Sequence, residues 1–415
     1  MDASTPKAAA EAADPGSRPA PISLIVLLMT MSAIGPVSLN ILTPVTPSLA
    51  DIFGARGETV QLTLSLYLVG LAVSQLVLGP LSDRFGRRPV LLLGLFITAA
   101  ASIAAIFATS IQAVIVFRTL QALGASSGLV IGRAIIRDLY ARERAASMIG
   151  LVTTVMVVAP MVAPLIGGLL DKALGKHYGW QGTFILVGLF AGIVMLWALA
   201  GLKETRPDHI TGGGLRFIWR ESRELFGNRR FLGYVLVCAI GTATFFAFLG
   251  GGPHVVVGIM ERSAFEYGLW FILTSGGFMV GNFITARNSQ RYGIDRMIHA
   301  GLLIMTAGAM LTVITVTIWP YDGPWTIFIP QLLISLGNGI FLPNCVAGAI
   351  SVRPQAAGTA SGITGFSQMA IGAAAAQGMS HLIATADTAM PLAIVTLILS
   401  VVSSTAFYVL LRKRS

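Results

Sequence analysis

Arg118 stands about seven residues inside an otherwise apolar run, 111–133. A guanidinium holds its proton at any ordinary pH and is costly in hydrocarbon, and at 1.5 Å of rise per residue it lies roughly 10 Å deep. It must face a polar partner or a water-filled cavity. It can then act as the counter-charge for a passing solute, or be pinned by carbonyls and amides of the first and fourth apolar runs. Gln121 follows one helical turn later. Arg133 lies near the end of the same run, where snorkelling explains it. His254, in "FLGGGPHVVV", carries an imidazole that titrates near neutrality, which makes it either a proton carrier or a polar anchor at the interface. Asn40, in "SLNILTPVTP", and Asn338 and Asn344, in a later run, add buried amides. With Gln61, Gln75, Gln368 and Gln377 they either line a cavity or hold helices together. Phe245, Phe246 and Phe248 line an apolar pocket or face lipid.

The acids are placed differently. Each falls at a run's end, in a connection or in the tail, Asp51, Glu58, Asp83, Asp138, Asp171, Glu204, Glu261, Glu266, Asp295, Asp322 and Asp387 among them. No carboxylate is left for the membrane midplane. Gly124-Ala125-Ser126-Ser127-Gly128 fits the G-x-S-x-G pattern of hydrolase nucleophile elbows. That elbow requires a strand-to-helix turn with a histidine and a carboxylate beside it. Inside an apolar run the pentad reads as helix packing, and no enzyme is expected. Cys238 and Cys345 sit in separate apolar runs without CxxC or Cys/His spacing, so neither a disulfide, a metal site nor a cofactor is expected.

The elements that position these residues are membrane helices. Hydrophobic residues make up 55% of the 415 and charged residues 11%, with a mean hydropathy of +0.79, far from the roughly 25% charged residues of a soluble domain. Apolar runs occur near 22–45, 60–80, 89–109, 111–133, 146–170, 180–201, 231–257, 267–286, 297–318, 325–349, 356–383 and 389–411. These predict an all-α membrane protein of twelve transmembrane helices. With the N-terminus inside, 22 basic residues fall in inner segments and four, Arg56, Lys172, Lys176 and Arg262, in outer ones. Both termini are therefore expected in the cytoplasm. The net charge of +10 belongs to these loops, and no nucleic-acid partner is expected. The chain divides into a flexible cytoplasmic tail (1–21), a six-helix bundle (22–201), a cytoplasmic linker (202–230), a second six-helix bundle (231–411) and a basic tail (412–415). In the linker, "LRFIWRESRELF" reads as a short interfacial helix or a solvated stretch. "SDRFGRR" is faintly echoed by "SQRYGID" at the same point of the second half, as in a pseudo-repeat.

In "GPLSDRFGRRP", Gly79 allows two helices to approach, and Asp83 can latch onto an arginine or a helix N-terminus. Arg84, Gly86 and Arg87 complete the turn, although Arg84, Arg87 and Arg88 equally satisfy the positive-inside rule. The stretch closely resembles the loop signature of the major facilitator superfamily, G-x-L-x-D-R-x-G-R-R/K. "RTLQALGASSG" from Arg118 resembles the fourth-span signature of its drug:proton antiporters. "GLVTTVMVVAPMVAPLIGG" resembles their fifth-span signature, with Gly150, Pro160, Pro164, Gly167 and Gly168 in place and Ala159 and Ala163 replacing two glycines. "GRAIIRDLY" and the doubled proline bring the chain closest to the bicyclomycin and chloramphenicol resistance subfamily.

The resemblance implies the major facilitator fold, two six-helix pseudo-repeats that rock about a central substrate path, with Arg118 in a proton relay. It also implies an acid in the first span, within D-x-Y-L-P-x-x-P. Here that frame reads Asn40-Ile41-Leu42-Thr43-Pro44-Val45-Thr46-Pro47. Asparagine keeps the shape of aspartate but takes up no proton. The chain is thus expected to be a monomeric inner-membrane transporter in contact with lipid. It would export a small neutral or weakly acidic drug-like compound by alternating access in exchange for protons. A facilitator or anion exchanger without proton coupling stands as the alternative, and a membrane sensor or scaffold is the weakest.

Overall fold

The computed structural model describes residues 22–140, 142–175, 177–206, 222–320, 322–353 and 356–411. Both expected tails and most of the proposed linker helix, up to residue 221, lie outside the described residues.

The first apolar run forms α1 (Ile22–Ile41), a 3-10 turn (Thr43–Val45) and a short α2 (Thr46–Phe53). Pro44 and Pro47 open the last two pieces, where a missing N–H leaves no hydrogen bond broken. The first half continues through α3 (Gly57–Phe85), α4 (Arg87–Ile106), α5 (Ile111–Leu139), α6 (Arg142–Leu174) and α7 (Gly179–Gly201). The second half comprises α8 (Arg229–Pro253), α9 (Ala264–Tyr292), α10 (Ile294–Ile318), α11 (Trp325–Ser351), α12 (Ala357–Ile383) and α13 (Met390–Leu410). Among the described residues ten spans are long and apolar enough to cross a membrane. α6, at 33 residues, and α12, at 27, pack among them and bring the described long spans to twelve. Side-chain caps start several helices: Ser110 accepts from the Ala113 N–H, Asn228 from Arg230 and Phe231, and Ser263 from Glu266. α3 and α5 overrun their apolar runs toward the arginine-rich face, because backbone hydrogen bonding outlasts the hydrophobic stretch.

The faint repeat in the sequence is a repeat of geometry. Gly86 (φ 101°) and Gly293 (φ 83°) each end one long helix and begin the next in the left-handed region. Ahead of each glycine an arginine lies over the neighbouring ring, Arg84 over Phe85 at 5.2 Å and Arg291 over Tyr292 at 5.4 Å.

The hydrophobic cores show how the halves meet. Toward the arginine-rich face each half has its own, around Leu91, Leu95 and Ile135 in the first and Ile298, Met305 and Phe341 in the second. A further cluster is shared, joining Leu39, Tyr67 and Leu71 to Phe248, Tyr267, Phe271 and Phe328. The polar contacts between halves lie at the face opposite the arginines. There Ser65 donates to Gln377 Oε1 (2.9 Å), Gln377 donates to the Glu58 carbonyl (2.9 Å) and His381 meets the Glu58 carboxylate (3.0 Å). The structure is therefore sealed at that face.

Within the first half, small residues allow close helix contact. A Cβ on Gly128 would lie 1.9 Å from the Met31 carbonyl oxygen, and one on Gly124 would lie 2.3 Å from that of Gly94. The G-x-S-x-G pentad is thus a packing surface on α5 against α1 and α4. Gly128→Ala is expected to destabilise the protein by about 1–3 kcal/mol or to abolish folded yield. Gly192→Ala, where a Cβ meets no atom within 4 Å, should be nearly silent. Thermal unfolding in detergent, monitored by size-exclusion, separates the two; equal midpoints would refute the packing role.

Candidate functional site

Arg118 is 2% exposed and is held by neutral groups. Its Nη1 donates to the Ser38 carbonyl (2.9 Å), the Ser38 hydroxyl (3.1 Å) and Gln121 Oε1 (2.6 Å). The guanidinium lies 4.1 Å from the centroid of the buried Tyr67 ring, a cation–π contact strengthened by exclusion of water. Tyr67 is itself fixed by donating to the Gly35 carbonyl (3.1 Å). Gln121 Nε2 passes the chain on to the Ser102 hydroxyl (2.7 Å). One cation therefore joins α1, α3 and α5 directly and α4 through Gln121. This is the pinned arrangement, and Ser38, Tyr67 and Ser102 are its unforeseen members. Tyr67 was legible only as a helix aromatic, and nothing in its spacing marked it as the cover of a charge.

The pinning leaves part of the cation unsatisfied. Nε of Arg118 is buried with no hydrogen-bond partner, as is Nε2 of Gln61. Both residues line a cavity of about 10 Å³ with Leu39, Thr43, Leu64 and, from the second half, Leu249. That is room for about one water.

The other amides and the histidine lie elsewhere. Asn40 is not brought into the Arg118 set: its Nδ2 donates to the Pro36 carbonyl of its own helix (2.8 Å), and its Oδ1 is buried without a partner. Asn344 likewise bonds its own helix, at Ile340 (2.7 Å). Asn338 reaches across to the Thr244 hydroxyl of α8 (3.3 Å). His254 opens a π-helical turn, His254–Ile259, half-buried and outside the Arg118 network. Gln377 belongs to the seam between the halves, where the unforeseen pair Glu58–His381 also lies. Such cross-half pairs leave no signal in a single sequence.

At the opposite face, Arg87 is the centre of the turn expected to latch. It pairs with Asp83 (2.5 Å) and, through Nε, with the buried Asp138 (2.9 Å), and donates to the Ser82 hydroxyl (2.7 Å). All of these lie in the first half, so the cluster ties α3, α4 and α5 together. Asp83 does not receive the N-terminus of α4. Glu204, beyond α7, does so by accepting from the backbone of Arg87 (2.8 Å) and Arg88 (3.1 Å). Gly86 is needed for this, since a Cβ there would lie 2.6 Å from a Glu204 oxygen. Arg84 lends its carbonyl to Arg206 (2.7 Å). The expected close approach at Gly79 is not found: a Cβ there meets no described atom within 4 Å, although one turn earlier Gln75 and Leu76 approach Gly365 and Gly362 of α12.

Along α6, Pro160 is half-buried and Pro164 buried, and Gly150 lies within the helix. Gly167 and Gly168 look two ways. A Cβ on Gly167 would lie 2.0 Å from the Ile41 carbonyl in its own half, and one on Gly168 would lie 2.6 Å from that of Ala264 in the other. Among the described residues no cluster of three or more His, Cys, Asp or Glu is placed to hold a metal.

A model of the Major Facilitator Superfamily matches residues 26–376. Multidrug resistance protein D of Escherichia coli is 30% identical over 83% of this chain and 85% of its own length. The chloramphenicol resistance protein of Pseudomonas aeruginosa is 31% identical over 80% of this chain and 76% of its own. The bicyclomycin resistance protein homolog of Haemophilus influenzae is 27% identical over 93% and 95%. A bacterial homolog of the lysosomal transporter Spinster, solved in an inward-facing and occupied conformation, superposes with a TM-score of 0.73 at 15% identity, covering 95% of this chain and 97% of that one. The resemblance to the bicyclomycin and chloramphenicol resistance group therefore holds, and the chain belongs to the Major Facilitator Superfamily as a multi-pass membrane transporter.

Proposed function

We propose that this transporter exports a small, neutral or weakly acidic drug-like compound across the bacterial inner membrane by alternating access, exchanging it for protons. The drug-resistance names of its relatives support the substrate class. The observation that carries the charge preference is the Arg118 site, a cation surrounded by Ser38, Gln121 and Tyr67 with no carboxylate among its partners. A second cation brought beside it in low dielectric would be repelled. The excess of basic residues supports reading the arginine-rich face, with both termini, as cytoplasmic. The sealed face then points outward, as in an inward-facing step of the cycle.

A second reading, a facilitator or anion exchanger, is favoured by Asn40, which cannot titrate and bonds its own helix. Flux in proteoliposomes under an imposed pH gradient, with the membrane potential clamped, decides between them. Exporter flux rises with the gradient, whereas facilitator flux ignores it. Uncharged compounds should be carried and quaternary ammonium dyes excluded; the reverse pattern would contradict the charge argument.

For the proton route we assign His254, whose π-helical turn is a conformation frequent at functional sites. His254→Ala is expected to abolish pH-driven transport while sparing passive exchange, and an unchanged pH dependence removes His254 from the mechanism. Arg118→Lys keeps the charge but replaces the delocalised guanidinium that lies over the Tyr67 ring with a compact ammonium. It is expected to cost about tenfold in transport rate, roughly 1.4 kcal/mol, with the folded yield retained.

The turn around Arg87 is assigned to holding the first half as a unit during rocking. Burial raises the Glu204 carboxyl, but N–H donors of Arg206, Arg87, Arg88 and Thr205 outweigh that and hold it below its ordinary value. Its stabilising effect is then full above the ordinary carboxylate pKa and is lost as pH falls through the depressed one. Glu204→Gln should flatten the acid limb of thermal stability; an identical acid limb would remove Glu204 from this role.

A further inference from the structure

We infer that the second half carries a binding site for the phosphate headgroup of an anionic phospholipid, at the arginine-rich ends of α8, α10 and α13. A crevice of about 410 Å³ opens there, within the size range of small-ligand sites, walled by Arg230, Asp295, Arg296, His299 and Tyr408. The acid in this set is already engaged: Asp295 accepts from the Tyr234 hydroxyl (2.8 Å) and lies 3.8 Å from Arg230 Nη2. Arg296 is exposed, lines the crevice and makes no hydrogen bond or ion pair with any described residue. His299 is fixed by its stack on Phe407 (6.2 Å, 10° between planes) and by the hydrogen bond of its Nε2 to the Tyr408 hydroxyl. In the tautomer in which Tyr408 donates to Nε2, Nδ1 carries the N–H and can donate to a phosphate oxygen. A guanidinium and an imidazole N–H on one wall match a phosphodiester.

The surroundings favour a lipid over a free anion. Below His299 on the same face of α10, Leu303 and Met310 are more than half exposed. On α13, one and two turns below Tyr408, Ser404 meets Thr306 of α10 (3.2 Å), and Val401 is exposed. Beside the crevice, α10 and α13 thus present exposed apolar side chains to the bilayer, suited to acyl chains. In the sequence, Leu411 at its edge is followed at once by Arg412, Lys413 and Arg414.

The test is native mass spectrometry and thermal unfolding of the full chain, doped with phosphatidylglycerol, phosphatidylcholine or inorganic phosphate. Phosphatidylglycerol should be retained about tenfold more than phosphatidylcholine and raise the midpoint. Arg296→Gln, an exposed change that leaves packing alone, and Arg296→Gln/His299→Gln should remove that preference, while Arg291→Gln should not. Equal retention by the double variant, equal loss in Arg291→Gln, or equal stabilisation by inorganic phosphate would each overturn the assignment, the last by showing an anion site with no lipid preference.

Discussion

Burying a guanidinium without a carboxylate is the constraint around which the first half is organised. Arg118 is 2% exposed, and a cation at that depth needs acceptors for its charge and cover for its face, which here fall on Nη1 and the Tyr67 ring and leave Nε unpartnered. The occupants come from three other helices: the Ser38 carbonyl and hydroxyl from α1, the Tyr67 ring from α3 and, through Gln121, the Ser102 hydroxyl from α4. Each occupant must be held in turn, which is why Tyr67 is tied to Gly35 and why α5 lies close enough to α1 and α4 to demand glycine at positions 124 and 128. The charge is expensive, and its solvation shell is the half-molecule itself.

Much of the architecture was legible because it follows from one-dimensional rules. The spans come from apolar length, their breaks from Pro44 and Pro47, and the turns from the R-[FY]-G echo, which places a positive-φ glycine at the same joint in both halves. The site was less legible. Arg118 announced itself by being charged in the wrong place, but its partners are ordinary serines and a tyrosine, indistinguishable from helix filler until the helices are assembled. Asn40 holds the position of an acid, and its amide satisfies half of itself on the preceding turn of its own helix, as an ionised carboxylate cannot, a local bond that its sequence position does not reveal. Glu204 and Asp138 were visible only as acids at helix ends. Their roles depend on the N-terminus of α4 and on Arg87, both remote in sequence.

The two halves repeat a turn but not its electrostatics. In the first, the charges after the glycine are consumed internally, Arg87 by Asp83 and Asp138, and the helix N-terminus by Glu204. In the second, one acid, Asp295, serves both Tyr234 and Arg230, and Arg296 has no partner among the described residues. The same backbone joint therefore produces a closed ionic knot in one half and an open cationic crevice in the other.

The same contrast between satisfied interior and loose edge bears on motion. Within the first half, separating the helices would strand a buried cation, at a cost of several kcal/mol. Between the halves, the polar seam comprises Ser65–Gln377, Gln377–Glu58 and an exposed Glu58–His381 pair. Such contacts contribute about 1 kcal/mol each or less, since water replaces them on opening. The shared apolar cluster is the larger barrier, and beside it α6 and α9 meet backbone to backbone, Gly168 against the Ala264 carbonyl and Gly268 against that of Pro164. The first half is thus tied internally by a buried cation and joined to the second by contacts of lower cost along α6–α9 and α3–α12, an arrangement compatible with hinge-like movement of one half against the other.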